Sequence, residues 1–148
     1  MEQSRIILTG AKGLLGNKIS KFLRSIGFEV LELDLSLGHD LANEEFVSTW
    51  FKSNQAEHLI NCFAIDDPET LGGNRSTFLN IPLSSFSAML HVNVVALFSV
   101  CREYIRNNKS GNIVNFSSIY SVVSPRPELY GMGEKHIAYG VSKAAVNQ

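Results

Sequence analysis

A phenol and an ammonium group lie four residues apart near the end of the printed sequence. Tyr139 and Lys143 are the first and last residues of the segment Tyr-Gly-Val-Ser-Lys. On a helix, side chains at this spacing share one face, and a nearby cation favours the ionised form of a phenol. Such a pair suits a general acid/base, although two residues so spaced are, taken alone, more often surface neighbours.

Two hydroxyl groups precede this pair at the end of an apolar segment. Ser117 and Ser118 follow residues 112–116, which have the composition of a buried strand. The carboxyl end of a parallel strand is where α/β proteins bind their ligands. A serine there can donate a hydrogen bond to a substrate oxygen, and the alternative is an ordinary loop start.

A turn with three glycines lies near the start of the sequence. Gly10, Gly13 and Gly16 follow the apolar run Ile6-Ile7-Leu8 and precede an amphipathic segment. Glycines permit a tight turn and a close approach of backbone to ligand, and a helix N-terminus attracts anions. The turn therefore predicts pyrophosphate binding, with further contacts from its other residues: Lys12, Leu14 and Leu15.

An acidic residue ends the second apolar segment. Asp34 closes Val30-Leu31-Glu32-Leu33-Asp34, at about the 20-residue distance from the turn that dinucleotide-binding units show. A carboxylate at this place accepts hydrogen bonds from ribose hydroxyls. Asp34 alone is equally a solvated strand end, but the turn and the acid together predict a dinucleotide.

Apolar and amphipathic segments alternate along the chain and predict the elements that hold these residues. Short apolar runs predict strands over 5–8, 28–33, 58–63 and 112–116, and helical spacing predicts helices over 14–25, 43–52, 83–107 and 138–148. Irregular connections cover 66–81 and 117–135. The alternation predicts one α/β domain over residues 1–148, with a parallel sheet and helices on both faces.

Two of these helices carry burial predictions. The long helix over 83–107 is so apolar that we expect burial on more than one face. In the first helix, the apolar residues at helical spacing are expected to face the sheet: Leu15, Ile19, Phe22, Leu23 and Ile26.

Composition points to a globular protein without a surface for nucleic acid. Hydrophobic residues make up 45% of the 148 residues, charged residues 18%, and the net charge is −1. This length suffices for one core, and this charge attracts neither nucleic acid nor a membrane. We expect no signal peptide and no membrane-spanning stretch, which predicts a cytoplasmic protein.

The cysteines and histidines show no metal-binding pattern. Cys62 and Cys101 lie in apolar surroundings and are expected to be buried thiols without a disulfide. The four histidines are isolated along the sequence: His39, His58, His91 and His136. We therefore expect no metal site and no metal-dependent hydrolase.

Taken together, the motifs resemble those of the short-chain dehydrogenase/reductase family. The resemblance runs from Arg5 to the end of the sequence, and it includes Asp40-Leu41, Asn61-Cys62-Phe63-Ala64 and Asn93. It implies a Rossmann-type doubly wound sheet and a nicotinamide dinucleotide cofactor. It also implies hydride transfer between the nicotinamide and a hydroxyl or carbonyl carbon of a small molecule.

The resemblance also implies residue roles. Tyr139 would exchange a proton with the substrate oxygen, Ser118 would hydrogen-bond that oxygen, and Lys143 would bind the nicotinamide ribose. Asn93 would support the proton relay. Asp40 and Leu41 would contact adenine, and the remaining cofactor contacts would come from Asn61, Phe63, Ala64, Tyr139 and Lys143, with the bulk of Phe63 and Ala64 narrowing the cleft.

The sequence departs from the commonest family pattern in three respects. Two residues separate each pair of glycines in the turn, and the interval from Ser118 to Tyr139 is long. The glycine spacing resembles that of extended, sugar-nucleotide-modifying members. The segments Ser117-Ser118-Ile119-Tyr120, Leu129-Tyr130 and Ala138-Tyr139 resemble a subgroup called flagellin modification protein A, which is associated with surface-sugar pathways. Family members also continue well beyond the equivalent of Lys143, so the resemblance implies a fragment or a truncated copy, with weak or no activity in the 148-residue form.

Cofactor choice and assembly follow from the same resemblance. Asp34 would repel a 2′-phosphate and favours NAD, whereas Lys12 favours NADP; we give Asp34 more weight because it sits at the ribose. A homodimer or homotetramer of the full-length form is implied, through the helices that begin near Leu83 and Ala138. The alternative to an enzyme is a non-catalytic dinucleotide-binding or interaction protein.

Overall fold

The computed structural model describes residues 4–66, 78–129 and 135–148. The chain divides into two compact units. The first comprises Met1–Ala64 and Ala96–Phe116, and the second comprises Ile65–Val95 and Ser117–Gln148. Parts of the two predicted irregular connections, residues 67–77 and 130–134, lie outside the described residues.

A parallel sheet forms the centre of the first unit. Its strands are β1 (Arg5–Thr9), β2 (Glu29–Leu33), β3 (His58–Asn61) and β4 (Asn112–Asn115), in the order β2-β1-β3-β4. Ile7 of β1 is level with Leu31 of β2 and with Leu59 of β3. Strand β1 is buried almost throughout, as expected for a parallel strand that is covered on both faces. The predicted α/β fold is confirmed.

The described residues contain five α-helices. They are α1 (Leu14–Ser25), α2 (Glu44–Ser53), α3 (Leu83–Leu90), α4 (Leu97–Asn107) and α5 (Ile137–Val146). A π-helical segment, His91–Ala96, lies between α3 and α4. Asn43 caps α2 through a hydrogen bond from the Phe46 N–H to its side-chain oxygen, which agrees with its place before the helix.

Two clusters of apolar side chains hold the first unit together, one on each face of the sheet. The smaller contains Leu8, Ala11 and Val30, against which Ile19 and Leu23 of α1 pack. The larger joins the other face of the sheet to α2 and α4, through Ile7, Leu33, Leu41, Val47, Phe51, Leu59, Val100 and Tyr104. Helices therefore cover both faces, as predicted.

The burial prediction for α1 is wrong for three of its five residues. Ile19 and Leu23 pack against the sheet, but Leu15, Phe22 and Ile26 are 50%, 61% and 54% exposed. The buried positions of α1 also include Gly16 and Ser20. Close packing of Gly16 on the glycine turn sets the rotation of the helix, so residues one position away from the buried stripe face outward.

The long helix is buried on one side rather than on several. Val95, Phe98 and Ile105 are 53%, 65% and 64% exposed, which corrects the expectation from composition. The stretch Leu83–Asn107 has 25 residues and contains an 18-residue window with a mean hydropathy of 1.6. By length and composition it could cross a membrane, contrary to our expectation that the chain has no such stretch, although core helices of soluble proteins meet the same criterion.

Cys62 and Cys101 are half-buried, and neither forms a disulfide. Burial raises the pKa of the Cys101 thiol, and hydrogen bonds with Asn115 and Asn61 oppose that shift. The prediction that both cysteines are buried is wrong, because each is only partly covered.

Candidate cofactor and active site

The glycine turn of the first unit is a backbone cradle, packed so closely at Gly10 and Gly16 that side chains do not fit there. Gly10 has φ +65°, and a Cβ atom built on it would lie 2.6 Å from the backbone nitrogen of Phe63. A Cβ on Gly16 would collide with the carbonyl oxygen of Gly10. Gly13 precedes α1 without a side-chain cap, and no acidic residue lies in the first helical turn. This helix end therefore suits an anion bound through backbone N–H groups.

Asp34 is oriented beside this turn by three hydrogen bonds. The Lys12 backbone N–H donates to Oδ2 at 2.9 Å, and the Ser36 N–H and hydroxyl donate to Oδ1 at 2.9 and 2.7 Å. Partial burial opposes ionisation, but the bonds from Ser36 and Lys12 outweigh it and lower the Asp34 pKa. A carboxylate has about four acceptor positions, so Asp34 can still accept a ribose hydroxyl.

The side chain of Lys12 is paired with Glu32, a residue that the sequence prediction missed. The Lys12 ammonium lies 2.6 Å from Glu32 Oε2, and Arg24 and Ser20 contact Oε1. Burial raises the Glu32 pKa, whereas the hydrogen bonds from Lys12 and Ser20 lower it by more, so the net shift is downward. A glutamate inside an apolar strand is a sequence signal for such a cation partner.

The predicted adenine pair and the Asn61 segment also lie in the first unit. Leu41 is part of the core, so its backbone rather than its side chain is available to a ligand. Asp40 accepts a hydrogen bond from the Ala42 N–H at 2.9 Å. Phe63 packs against the larger core cluster, and Ala64 is exposed.

Asn61 lies in a row of polar side chains across the sheet, in which Thr9 and Asn61 are buried and Asn115 is exposed. Its Oδ1 accepts from the Thr9 hydroxyl at 2.8 Å, and its Nδ2 donates to Asn115 Oδ1 at 2.8 Å. Both ends of the amide are thus used between β1, β3 and β4. The geometry fits a residue that fixes the strand ends, and direct cofactor contact by Asn61 stays a prediction.

The second unit carries the phenol and the ammonium on one face of α5. Lys143 is 5% exposed, and its Nζ lies 5.9 Å from the Tyr139 ring centroid. A second lysine, Lys135, places its Nζ 4.5 Å from the same centroid. The prediction that Tyr139 and Lys143 share a helix face is confirmed. Lys135 is a second lysine beside the phenol, which the sequence spacing did not indicate.

Asn93 ties this helix to the backbone of Ile65. Its Oδ1 accepts from the Ile65 N–H and its Nδ2 donates to the Ile65 carbonyl, both at 2.8 Å. The same Nδ2 donates to Ser142 Oγ at 3.0 Å, and the Ser142 hydroxyl donates to the Tyr139 carbonyl at 2.8 Å. Asn93 is 2% exposed and lies in the π-helical segment, a feature that is frequent at functional sites.

The serine pair begins the segment that packs against α5. The Ser117 hydroxyl donates to the Lys143 carbonyl at 3.0 Å. Ser118 Oγ accepts from the Tyr120 N–H at 3.2 Å, which leaves its hydroxyl hydrogen for a substrate oxygen. Ser117 therefore holds the chain against α5, and Ser118 is the better candidate for substrate contact.

The predicted residues thus fall into two groups. The first unit holds the turn, Asp34, Asp40, Leu41 and the Asn61 segment, whereas the second holds Asn93, Ser118, Tyr139 and Lys143. Among the described residues, no group of three or more histidine, cysteine or acidic side chains is placed to hold a metal ion. The uncapped turn and the free acceptor capacity of Asp34 fit a dinucleotide.

A parallel sheet, a glycine turn and a Tyr-x-x-x-Lys helix define an α/β protein of the Rossmann type. The sequence matches the family described as enoyl-(acyl carrier protein) reductase over residues 2–148. The chain therefore belongs to this family of short-chain dehydrogenases/reductases. No curated protein matches the sequence.

Solved structures share the fold at low sequence identity. The short chain dehydrogenase of Leptospira borgpetersenii with bound NAD+ is 20% identical, with a TM-score of 0.83 over 99% of this chain and 62% of its own. The ligand-free aldohexose dehydrogenase of Thermoplasma acidophilum is 18% identical, with a TM-score of 0.78 over 97% and 57%. A small-chain dehydrogenase in complex with NADPH is 16% identical, with a TM-score of 0.75 over 98% of this chain and 61% of its own. The chain spans about three fifths of their lengths.

Proposed function

We propose that this chain forms the cofactor-binding and proton-transferring part of an NAD-dependent oxidoreductase. The proposal rests on the geometry of α5. Tyr139 and Lys143 share one face of this helix, and Asn93 holds the helix in place through a hydrogen bond to Ser142. When bound, the nicotinamide supplies or accepts a hydride at the substrate carbon. Tyr139 gives its phenolic proton to the carbonyl oxygen during reduction and takes a proton from the alcohol during oxidation.

The other residues of the second unit support this proton transfer. Ser118 donates a hydrogen bond to the substrate oxygen, where negative charge develops. Lys143 is buried beside the phenol, with its Nζ 5.9 Å from the ring centroid, and would bind the nicotinamide ribose. Asn93 and Ser142 fix the helix that carries both groups, which keeps the reacting atoms aligned.

A Tyr139→Phe variant tests this proposal. NADH consumption is measured with a panel of aldehydes and ketones, on the 148-residue chain and on the longest product of its coding sequence. Loss of turnover by at least 100-fold with unchanged NADH affinity is the expected result. Undiminished turnover would contradict the role of Tyr139, and NADH binding without turnover in any wild-type form would support the alternative, a non-catalytic binding protein.

NAD is the proposed cofactor rather than NADP. Asp34 presents a carboxylate whose pKa is lowered, and a 2′-phosphate would meet its negative charge. The Lys12 ammonium is engaged by Glu32, which weakens the argument that this lysine attracts a 2′-phosphate. The solved relatives include one with NAD+ and one with NADPH, so the preference rests on these side chains.

For the substrate of this oxidoreductase, we propose a sugar or a sugar nucleotide. It rests on the two-residue spacing of the glycines and on the resemblance to the flagellin modification subgroup. A cytoplasmic homodimer or homotetramer, without nucleic acid or membrane partners, belongs to the same proposal. Turnover with aldehyde- and keto-sugars but not with other carbonyl compounds is the result that supports it.

A further inference from the structure

An apolar cavity of about 490 Å³ lies wholly within the second unit. Small-molecule sites have volumes of about 300–1,000 Å³. Most of the wall is apolar and comes from Phe78, Ile81, Val122, Val123, Ile137 and Val141. Phe78 and Val122 are 62% and 76% exposed, so this wall presents apolar surface to water that an apolar ligand would cover favourably.

One charged side chain, Lys135, lies among the residues that line this cavity. The Lys135 side chain is 15% exposed, and its ammonium forms an ion pair with Asp66, whose side chain is 61% exposed. An ion pair with so exposed a partner contributes little to stability. A ligand carboxylate that approaches from the cavity can therefore replace Asp66 on the ammonium.

The cavity offers few partners for a compound with many hydroxyls, because the polar side chains among its lining residues are those of Tyr120, Ser121, Ser124 and Lys135. The Ser121 hydroxyl already donates to the Ser118 carbonyl and accepts from Asn147 Nδ2. A polyol bound against the valine and isoleucine side chains would lose hydrogen bonds to water without replacing them, which is costly. The wall therefore favours an apolar chain over the sugar substrate that the glycine spacing suggests, and the two substrate classes are alternatives that the titration below separates.

The position of Lys135 connects the cavity to the candidate proton donor. Its Nζ lies 4.5 Å from the Tyr139 ring centroid, and Gly140 and Val141, which follow Tyr139, also line the cavity. An anionic group held by Lys135 would lie beside the Tyr139 ring. We infer that the cavity binds an apolar compound with one anionic group, such as a medium-chain acid that carries the reacting hydroxyl or carbonyl.

The substrate class rests on the proposed function, whereas the binding site does not. Binding is therefore tested apart from turnover, by calorimetric titration of the 148-residue chain with octanoate, 1-octanol and D-glucose. We expect octanoate to bind at least tenfold more tightly than 1-octanol, and glucose not to bind. Equal binding of acid and alcohol, or glucose binding that octanoate displaces, would overturn the inference.

Three variants sharpen the test. Lys135→Gln should weaken octanoate binding about tenfold and leave 1-octanol unchanged, because the ammonium is lost and the apolar wall stays. Asp66→Asn should tighten octanoate binding several-fold, because it removes the competing carboxylate. Lys21→Gln, at an exposed lysine of α1, should change neither.

Other outcomes also decide the matter. Unaltered octanoate binding in Lys135→Gln, or weaker binding in Asp66→Asn, would reject the assigned anion contact. Circular dichroism of each variant checks that it is folded. If octanoate binds as expected but no wild-type form oxidises NADH, the cavity stands and the proposed function fails.

Discussion

The two units build their candidate sites from different materials. In the first unit the candidate ligand surface is mainly backbone, shaped by Gly10, Gly13 and Gly16, and Asp34 beside it contributes a side-chain acceptor. In the second unit the groups are side chains, placed by a buried chain of hydrogen bonds from Ile65 through Asn93 and Ser142 to Tyr139. A cradle of backbone tolerates almost no added atoms, whereas a side-chain network fails when one partner is lost.

The largest effect is expected when an atom is added to the cradle. Gly10→Ala places a Cβ against Phe63 and Cys62 at φ +65°, and should destabilise the fold by about 3 kcal/mol and abolish NADH binding. Urea unfolding and calorimetry measure both. Gly38→Ala is the matched control, since its φ is +82° but nothing lies within 4 Å; a cost of about 1 kcal/mol is expected there. Equal costs would show that the close approach is unimportant.

The next effect is expected when the side-chain network is cut. Asn93→Leu leaves the Ile65 N–H and carbonyl and the Ser142 hydroxyl without this partner, which should cost about 2–3 kcal/mol in unfolding free energy. NADH affinity should fall far less than in the Gly10 variant, because most of the predicted cofactor contacts lie in the first unit and only Tyr139 and Lys143 lie in the second. Asn43→Ala removes a helix cap instead and should cost about 1 kcal/mol. An Asn93 variant as stable as wild type would disprove the bracing role.

A smaller effect concerns the pair behind the glycine turn. Glu32→Gln removes the carboxylate that holds the Lys12 ammonium, so Lys12 becomes available to a 2′-phosphate. The ratio of NADPH to NADH affinity should rise about three- to tenfold, equivalent to about 1 kcal/mol. Glu29→Gln, at an exposed glutamate of β2, is the control and should leave the ratio unchanged. An unchanged ratio in Glu32→Gln would mean that Lys12 lies out of reach of the ribose.

The smallest effect is the pH dependence from Asp34. The folded state lowers the pKa of this carboxyl, so it binds a proton less readily than the unfolded chain. Its contribution to stability is present above the ordinary aspartate pKa of about 3.9 and is lost as the pH falls through the lower folded value. Urea midpoints of wild type and Asp34→Asn should therefore converge below pH 4. Parallel curves across that range would contradict the shift.

The same contrast explains what the sequence could predict. The bounds of α1 and the parallel direction of the strands follow from local signals, namely the glycine turn and the short apolar runs. The turn needs only residues that are neighbours in the chain, so Gly10, Gly13 and Gly16 could be identified without a structure.

Other features depend on distant partners and could not be predicted. The hydrogen bond between Asn93 and Ser142 joins residues 49 positions apart, and the ion pair between Lys12 and Glu32 joins residues 20 positions apart. The π-helical segment differs from an α-helix in hydrogen bonding rather than composition. The outward position of Phe22 follows from the packing of Gly16, which apolar spacing does not encode.

Calorimetric titration of the wild-type 148-residue chain with NADH and with NADPH tests the central claim most directly. The glycine turn, Asp34 and the paired Lys12 predict one NADH per chain, bound at least tenfold more tightly than NADPH. Failure to bind either cofactor, or tighter binding of NADPH, would contradict the account.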